Sequence, residues 1–158
     1  MTETTAATPI ETRDTKLEII MGREALDKLA DATVLVLGCG GVGSNCCEAL
    51  ARGGIGHFVI LDKDIIAPSN INRQAIAFHS TVGKRKVDVM EAMIHDINPA
   101  AAVIKRTEYL LSDNIDDFFA SVLEQTVRQA RLRRRRHRHH LGQAHHCQIC
   151  SGPRHSFG

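Results

Sequence analysis

Gly38, Gly40, Gly41 and Gly43 follow directly on an apolar run, and Asp62 and Asp64 lie about 20 residues further on. Asn70, Arg73, Gln74 and Lys86 complete the polar series. Glycines between a strand and a helix leave main-chain N–H groups bare, and bare N–H groups at a helix start bind phosphate. An acid at the end of a second strand bonds ribose hydroxyls. The guanidinium and ammonium that follow supply more positive charge than a pyrophosphate alone demands. The chemistry these residue types and spacings fit is the binding of ATP.

Each position has its own physical reason. Gly38 lets the turn be tight, Gly40 lets phosphate approach the backbone, and Gly43 lets helix pack on strand; the plain alternative is a purely structural glycine turn. Asp64 lies two residues beyond Asp62 and close to the expected phosphates, where a carboxylate makes sense if Mg²⁺ bridges the two. Arg73 offers a planar fork to phosphate oxygens. Gly83 to Lys86 reads as a helix start, and cations there oppose the helix dipole, which suggests that an anion belongs beside Lys86. Asn70 and Gln74 either orient an adenylate or cap a turn; the spacing does not separate the two. The glycine turn and Asp62 alone would also allow half of an NAD-dependent oxidoreductase domain. Arg73 together with Lys86 favours the triphosphate.

The elements that must position these groups alternate. Residues 1–15 read as a flexible N-terminal arm, and Arg23 to Ala30 as a short helix with Leu26 and Leu29 on one face. Thr33 to Leu37 is a β-branched and leucine run suited to a strand buried on both faces. Gly43 to Arg52 is a helix closed by Gly53 and Gly54. His57 to Leu61 is a second strand and Gly83 to Ile97 a helix ended by Asn98 and Pro99. Ala102 to Lys105 is a third strand, and Ile115, Phe118, Phe119 and Val122 mark a further helix. This order predicts an α/β fold, a Rossmann-like three-layer arrangement on a parallel sheet, of which the N-terminal half is present.

The 158 residues suffice for one domain with a true core. The net charge of +2 hides a split: residues 127–158 hold 8 Arg and no acid, whereas residues 1–126 carry a net −6. Residues 16–126 therefore read as a partial nucleotide-binding domain, and 127–158 as a separate basic His- and Arg-rich tail. No apolar run reaches about 18 residues, so no membrane span is expected, and the first residues lack the pattern of a secretory signal. Five cysteines, an odd count, suit a reduced, cytoplasmic protein. Cys39, Cys46 and Cys47 read as core thiols.

The motifs Gly-x-Gly-Gly-x-Gly, Leu-Asp-x-Asp, Ser-Asn-x-x-Arg-Gln and Gly-Lys-x-Lys closely resemble the ThiF/MoeB/ubiquitin-activating superfamily of ATP-dependent adenylyltransferases. Ser69 to Gln74, His79 to Lys84 and Ile97 to Pro99 look most like the tRNA threonylcarbamoyladenosine dehydratase branch. The resemblance covers about residues 16–125. It implies adenylation of a carboxylate, with ATP on Gly41 and its neighbours, ribose on Asp62, and phosphates on Arg73 and Lys86. It further implies tRNA as substrate, a homodimer, and in parts of the superfamily a sulfur-carrier protein as partner. A basic residue of the N-terminal arm completes the partner's site in the family; Arg13 and Lys16 both stand as candidates here.

Within the tail, the run from Arg131 to His140 suits a nucleic-acid arm, and His145, His146, Cys147 and Cys150 suit zinc. The family instead continues here with a strand, Asp-Tyr-Val-Val-Asp-Ala-Ile-Asp-Thr. Codons read one base later from Arg131 accommodate that strand at every slot, since each Arg before a C-initial codon becomes Val, Ala, Asp or Gly and each His becomes Ile or Thr. The tail is therefore expected to be out of frame after a shift between about Ser121 and Val127, and disordered. The missing strand carries an aspartate that in the family faces the ATP metal, so weak or no turnover is expected of the chain as written.

Overall fold

A computed structural model describes residues 11–128. They form two compact units that part between Tyr109 and Leu110. The first unit runs α1 (Thr15–Met21), α2 (Arg23–Asp31), β1 (Thr33–Leu37), α3 (Gly41–Arg52), β2 (His57–Leu61), a 3-10 turn (Pro68–Asn70), α4 (Lys86–Ile97) and β3 (Ala102–Arg106). Residues 110–128 make the second unit, with a helix over 115–128 in which Phe118 and Val122 are buried.

The sheet is parallel in the order β1-β2-β3, with Leu37 opposite Leu61 and Leu61 opposite Arg106. The central strand β2 buries its first four residues, His57 to Ile60, as a run covered on both faces must. Phe58 and Ile60 pack with Val36, Cys47 and Ala51, and with Val87, Met90 and Ile94 from the inner face of α4. Each such large side chain contributes about 1.5–3 kcal/mol relative to exposure. Helices α3 and α4 pack on one another, and Leu29 of α2 joins the same core. This is a Rossmann-like α/β arrangement, with strand, glycine turn and helix in direct succession at β1 and α3.

Several expectations need correction. β1 is not buried on both faces: Val36 alone is buried, while Thr33 and Leu37 are exposed. The reason is position, because β1 lies at a sheet edge among the described residues. A further helix that no expectation included, Thr15–Met21, begins where the expected arm ends and is set off from α2 by Gly22 at φ +79°. α1 buries nothing, so no apolar stripe marked it. α4 starts at Lys86 rather than Gly83, because residues 81–84 lie in a turn and bend and Arg85 is held extended by an antiparallel bridge to Ile65. Cys39 and Cys47 are fully buried, but Cys46 is exposed. Residues 1–10 of the arm and 129–158 of the basic tail, with its Arg, His and Cys147/Cys150 motifs, lie outside the described residues.

Two glycines are fixed by contact rather than by φ. A Cβ on Gly43 would stand 1.8 Å from the Gly38 carbonyl oxygen, and one on Gly56 would stand 1.8 Å from that of Ala30. Both obstacles are main chain and cannot step aside as a flexible side chain would. Gly43→Ala and Gly56→Ala are each expected to lower stability by about 1–3 kcal/mol in urea unfolding. Loss of less than about 0.5 kcal/mol in either would show that the contact is looser than the geometry states.

Candidate functional site

The glycine turn is stitched to the end of β2 by two hydrogen bonds, and a third shapes the segment that leaves β2. The Gly38 amide donates to the Leu61 carbonyl at 2.7 Å, with Gly38 at φ +92°. The Cys39 amide donates to Asp62 Oδ2 at 2.7 Å, and the Asp64 amide donates to Asp62 Oδ1 at 2.8 Å. Asp62, expected to hold ribose, thus first holds the turn. It is buried, and each carboxylate oxygen keeps accepting capacity beyond the one bond it receives.

With the turn fixed, α3 begins at Gly41 with Gly40 as a cap that has no side chain to offer. No hydrogen-bond partner for the amides of Gly41, Val42 and Gly43 occurs among the described residues. Three bare N–H groups at the positive end of a 12-residue helix make an anion site. A Cβ on Gly40 would meet nothing within 4 Å, so the approach to these amides is open.

Arg73 is brought to this turn by two residues that the motif reading passed over. Ser44, fully buried, donates from Oγ to the Gly40 carbonyl at 2.6 Å and accepts from the Ala75 amide at 3.0 Å. Asn45 donates to the carbonyls of Gly41 and Arg73. The Arg73 stem lies over Gly41, where an added Cβ would be 3.6 Å from Cγ. The guanidinium is exposed and donates to the Ser69 carbonyl and Asn72 Oδ1, both at 2.9 Å. It faces no carboxylate within ion-pair distance among the described residues. The signal available in the sequence was two polar residues inside the first turns of a helix that otherwise packs on a sheet.

Lys86 is not a free solvated cation. Its amide donates to the Asp64 carbonyl at 3.0 Å, alongside the bridge between Ile65 and Arg85, so backbone pairing sets the two side chains together. The ammonium stands 2.9 Å from Asp64 Oδ2 and 3.7 Å from Asp62 Oδ2. The Lys86 and Asp62 side chains are each 8% exposed, whereas that of Asp64 is 55% exposed.

The other expected residues fall differently. Asn70 Oδ1 accepts from the Ala67 amide at 3.0 Å, a turn-capping bond. Gln74 is buried and its Oε1 has no partner among the described residues, an acceptor left for something else. Arg13 pairs with Asp14 at 2.7 Å and reaches toward Gly54, past the far end of α3 from the glycine turn. That end is about 18 Å from the turn. Lys16 pairs with Glu11 at 3.2 Å. Among the described residues no group of three or more His, Cys, Asp or Glu could hold a metal ion. A Mg²⁺ at Asp64 would therefore draw most of its oxygens from water and phosphate, as that ion prefers.

Burial pushes the Cys39 thiol up to about 12, with nearby Cys47 and Asp62 raising it further and Lys86 opposing. Burial also pushes Cys47 up to about 12. Neither thiol is a nucleophile at neutral pH.

Comparison with known proteins agrees with this geometry. The ThiF family matches residues 12–123, and the chain belongs to that family. The tRNA threonylcarbamoyladenosine dehydratase of Bacillus subtilis (strain 168) is 44% identical over 110 residues, 70% of this chain and 43% of that protein. The Escherichia coli (strain K12) dehydratase is 40% identical over 101 residues, 64% of this chain and 38% of its own length. A crystal structure of the Escherichia coli enzyme TcdA in complex with ATP superposes with a TM-score of 0.66 at 38% identity, covering 68% of this chain and 44% of that one. The chain thus spans about two fifths of the curated relatives it matches. The family match removes the ground for the nicotinamide reading, which rested on the glycine turn and Asp62 alone. No helix among the described residues is long and apolar enough to cross a membrane.

The thiols give a direct check. Alkylation near pH 8, mapped by mass spectrometry, is expected to modify Cys46 at least about tenfold faster than Cys39 or Cys47. Raised thiol values also set a sign: the unfolded thiols ionise from about 9.0 and the folded ones from about 12. Their contribution to stability is therefore full below pH 9.0 and is lost as pH rises toward 12. A Cys47→Ala variant is expected to lose less stability than the parent between pH 8 and pH 11 in urea unfolding, and an equal loss would refute the assignment.

Proposed function

We propose that this site binds ATP and activates a carboxylate as an acyl-adenylate, and that the activation serves cyclisation of threonylcarbamoyladenosine on tRNA. The observation that carries the reading is the run of bare amides at Gly41, Val42 and Gly43 beneath an Arg73 guanidinium that no acid neutralises among the described residues. An anion of high charge is what such a place accepts. The ATP in the TcdA structure and the dehydratase names of the relatives support a nucleotide and a tRNA-bound substrate.

In this reading the amides and Arg73 hold the phosphates, with Lys86 adding charge as the nucleotide settles. Asp62 keeps the turn in shape and offers its remaining lone pairs to ribose. Gln74 offers its unpartnered Oε1 to a donor on the ligand. Asp64 would help to hold a Mg²⁺ brought with the nucleotide, which would supply positive charge to the phosphates. Adenylation replaces a poor leaving group by AMP, and an internal nucleophile then closes the ring. The intact enzyme works as a homodimer, with Arg13 or Lys16 serving the neighbouring site because Arg13 lies far from its own. A sulfur-carrier protein is not needed for this chemistry. The acceptor side belongs to the part of the relatives that the chain does not span, and restoring the frame between about codons 121 and 127 would supply its first strand.

Two variants test the reading. Gly40→Ala should leave urea stability within about 0.5 kcal/mol while weakening ATP binding at least about tenfold, because its Cβ intrudes where phosphate belongs and nowhere else. In protein expressed from a gene with the frame restored, ATP–pyrophosphate exchange should fall about a hundredfold or more on Arg73→Ala. Undiminished exchange in that variant would overturn the assignment.

A further inference from the structure

The triad of Asp62, Lys86 and Asp64 holds one more carboxylate than it needs, and the two acids are held very differently. Asp62 is pinned: it is 8% exposed at the side chain and receives main-chain N–H bonds at 2.7 and 2.8 Å. Asp64 is loose: its side chain is 55% exposed, and Lys86 is its one side-chain partner among the described residues. The Lys86 ammonium, 8% exposed, lies nearer the loose acid, at 2.9 Å against 3.7 Å.

A buried ammonium needs a counter-charge. A net negative cluster beside an anion site needs to lose one before a polyphosphate arrives, since like charges at such distances repel. One movement meets both needs. The geometry points to an exchange of partners: without nucleotide, Asp64 stands in for a phosphate on Lys86, and an incoming phosphate displaces it. Asp62 stays bound to the Cys39 amide throughout, so the turn keeps its shape while Lys86 changes partner. The released Asp64 carboxylate, already solvent-facing, is then free for a divalent cation that accompanies the phosphates. The nucleotide site is thus self-neutralised when empty, and nucleotide and metal are taken up in concert. This inference rests on the nucleotide reading above and adds to it a competitor built into the site.

The test is ATP titration by calorimetry with and without Mg²⁺, on the chain as it stands and on Asp64→Asn, Lys86→Gln and the double variant. Asp64→Asn should tighten Mg²⁺-free ATP about two- to fivefold, the range of an exposed ion pair that no longer has to be broken. The same change should shrink the gain from Mg²⁺, and in the Lys86→Gln background the tightening should vanish. No tightening, or the same factor in both backgrounds, would mean that Asp64 acts by long-range repulsion alone and overturns the exchange. Absence of ATP binding to the parent chain would refute the nucleotide reading itself, and the exchange with it. Should Lys86→Gln fail to fold, the Lys86 ammonium resonance in ¹⁵N-lysine-labelled protein carries the test. It should shift on adding ATP to the parent and start from a different position in Asp64→Asn; a resonance indifferent to both would overturn the exchange.

Discussion

A single buried carboxylate organises the site. Asp62 follows β2 at the point where the parallel register brings Leu61 beside Leu37, so it lies next to the residues that leave β1. Burying a carboxylate is costly unless hydrogen bonds and opposite charge replace the water it loses. Here the Cys39 and Asp64 amides and the Lys86 ammonium do so. The return on that arrangement is shape. The chain must turn sharply enough to offer its amides to Asp62, which demands glycine at Gly38 and leaves the next amides, at the start of α3, without partners.

The same bonds account for where charge resides. The mouth of the turn has the positive end of α3, an exposed arginine and an exposed aspartate, while the lysine lies below, already paired. Ser44 and Asn45 hold the Arg73 segment to α3 through main-chain groups. The exposed guanidinium bonds its own loop at Ser69 and Asn72 through one nitrogen, which leaves its other N–H groups to face a ligand. A chain of short polar bonds therefore runs from the core of the sheet to an arginine that faces no acid among the described residues.

How far this was legible in the sequence depends on how local each cause is. β1 and β2 could be bounded to the residue, and β3 to within one, because unbroken apolar and β-branched runs carry their own signal. The glycines, Asp62 and Arg73 stood out because spacing alone implies a turn between strand and helix. Other features depend on partners distant in sequence. The delayed start of α4 follows from pairing between segments near Ile65 and Arg85, and the pairing of Lys86 with Asp64 follows from that same strip. The exposure of β1 depends on which neighbours the sheet has, which no window on β1 contains. α1 has no buried residue and so no periodic stripe to read. The capping bond of Asn70 could not be read from spacing because it depends on the Ala67 amide standing beside its side chain.

The central claim is that the unpaired amides opening α3 are where phosphate binds. Amide hydrogen exchange resolved by residue, with and without magnesium-ATP, addresses it most directly. The account predicts that nucleotide slows exchange at Gly41, Val42 and Gly43 while the buried amides of β2 are unchanged. Nucleotide that binds yet leaves these three amides exchanging as before, with protection confined to other segments, would contradict it.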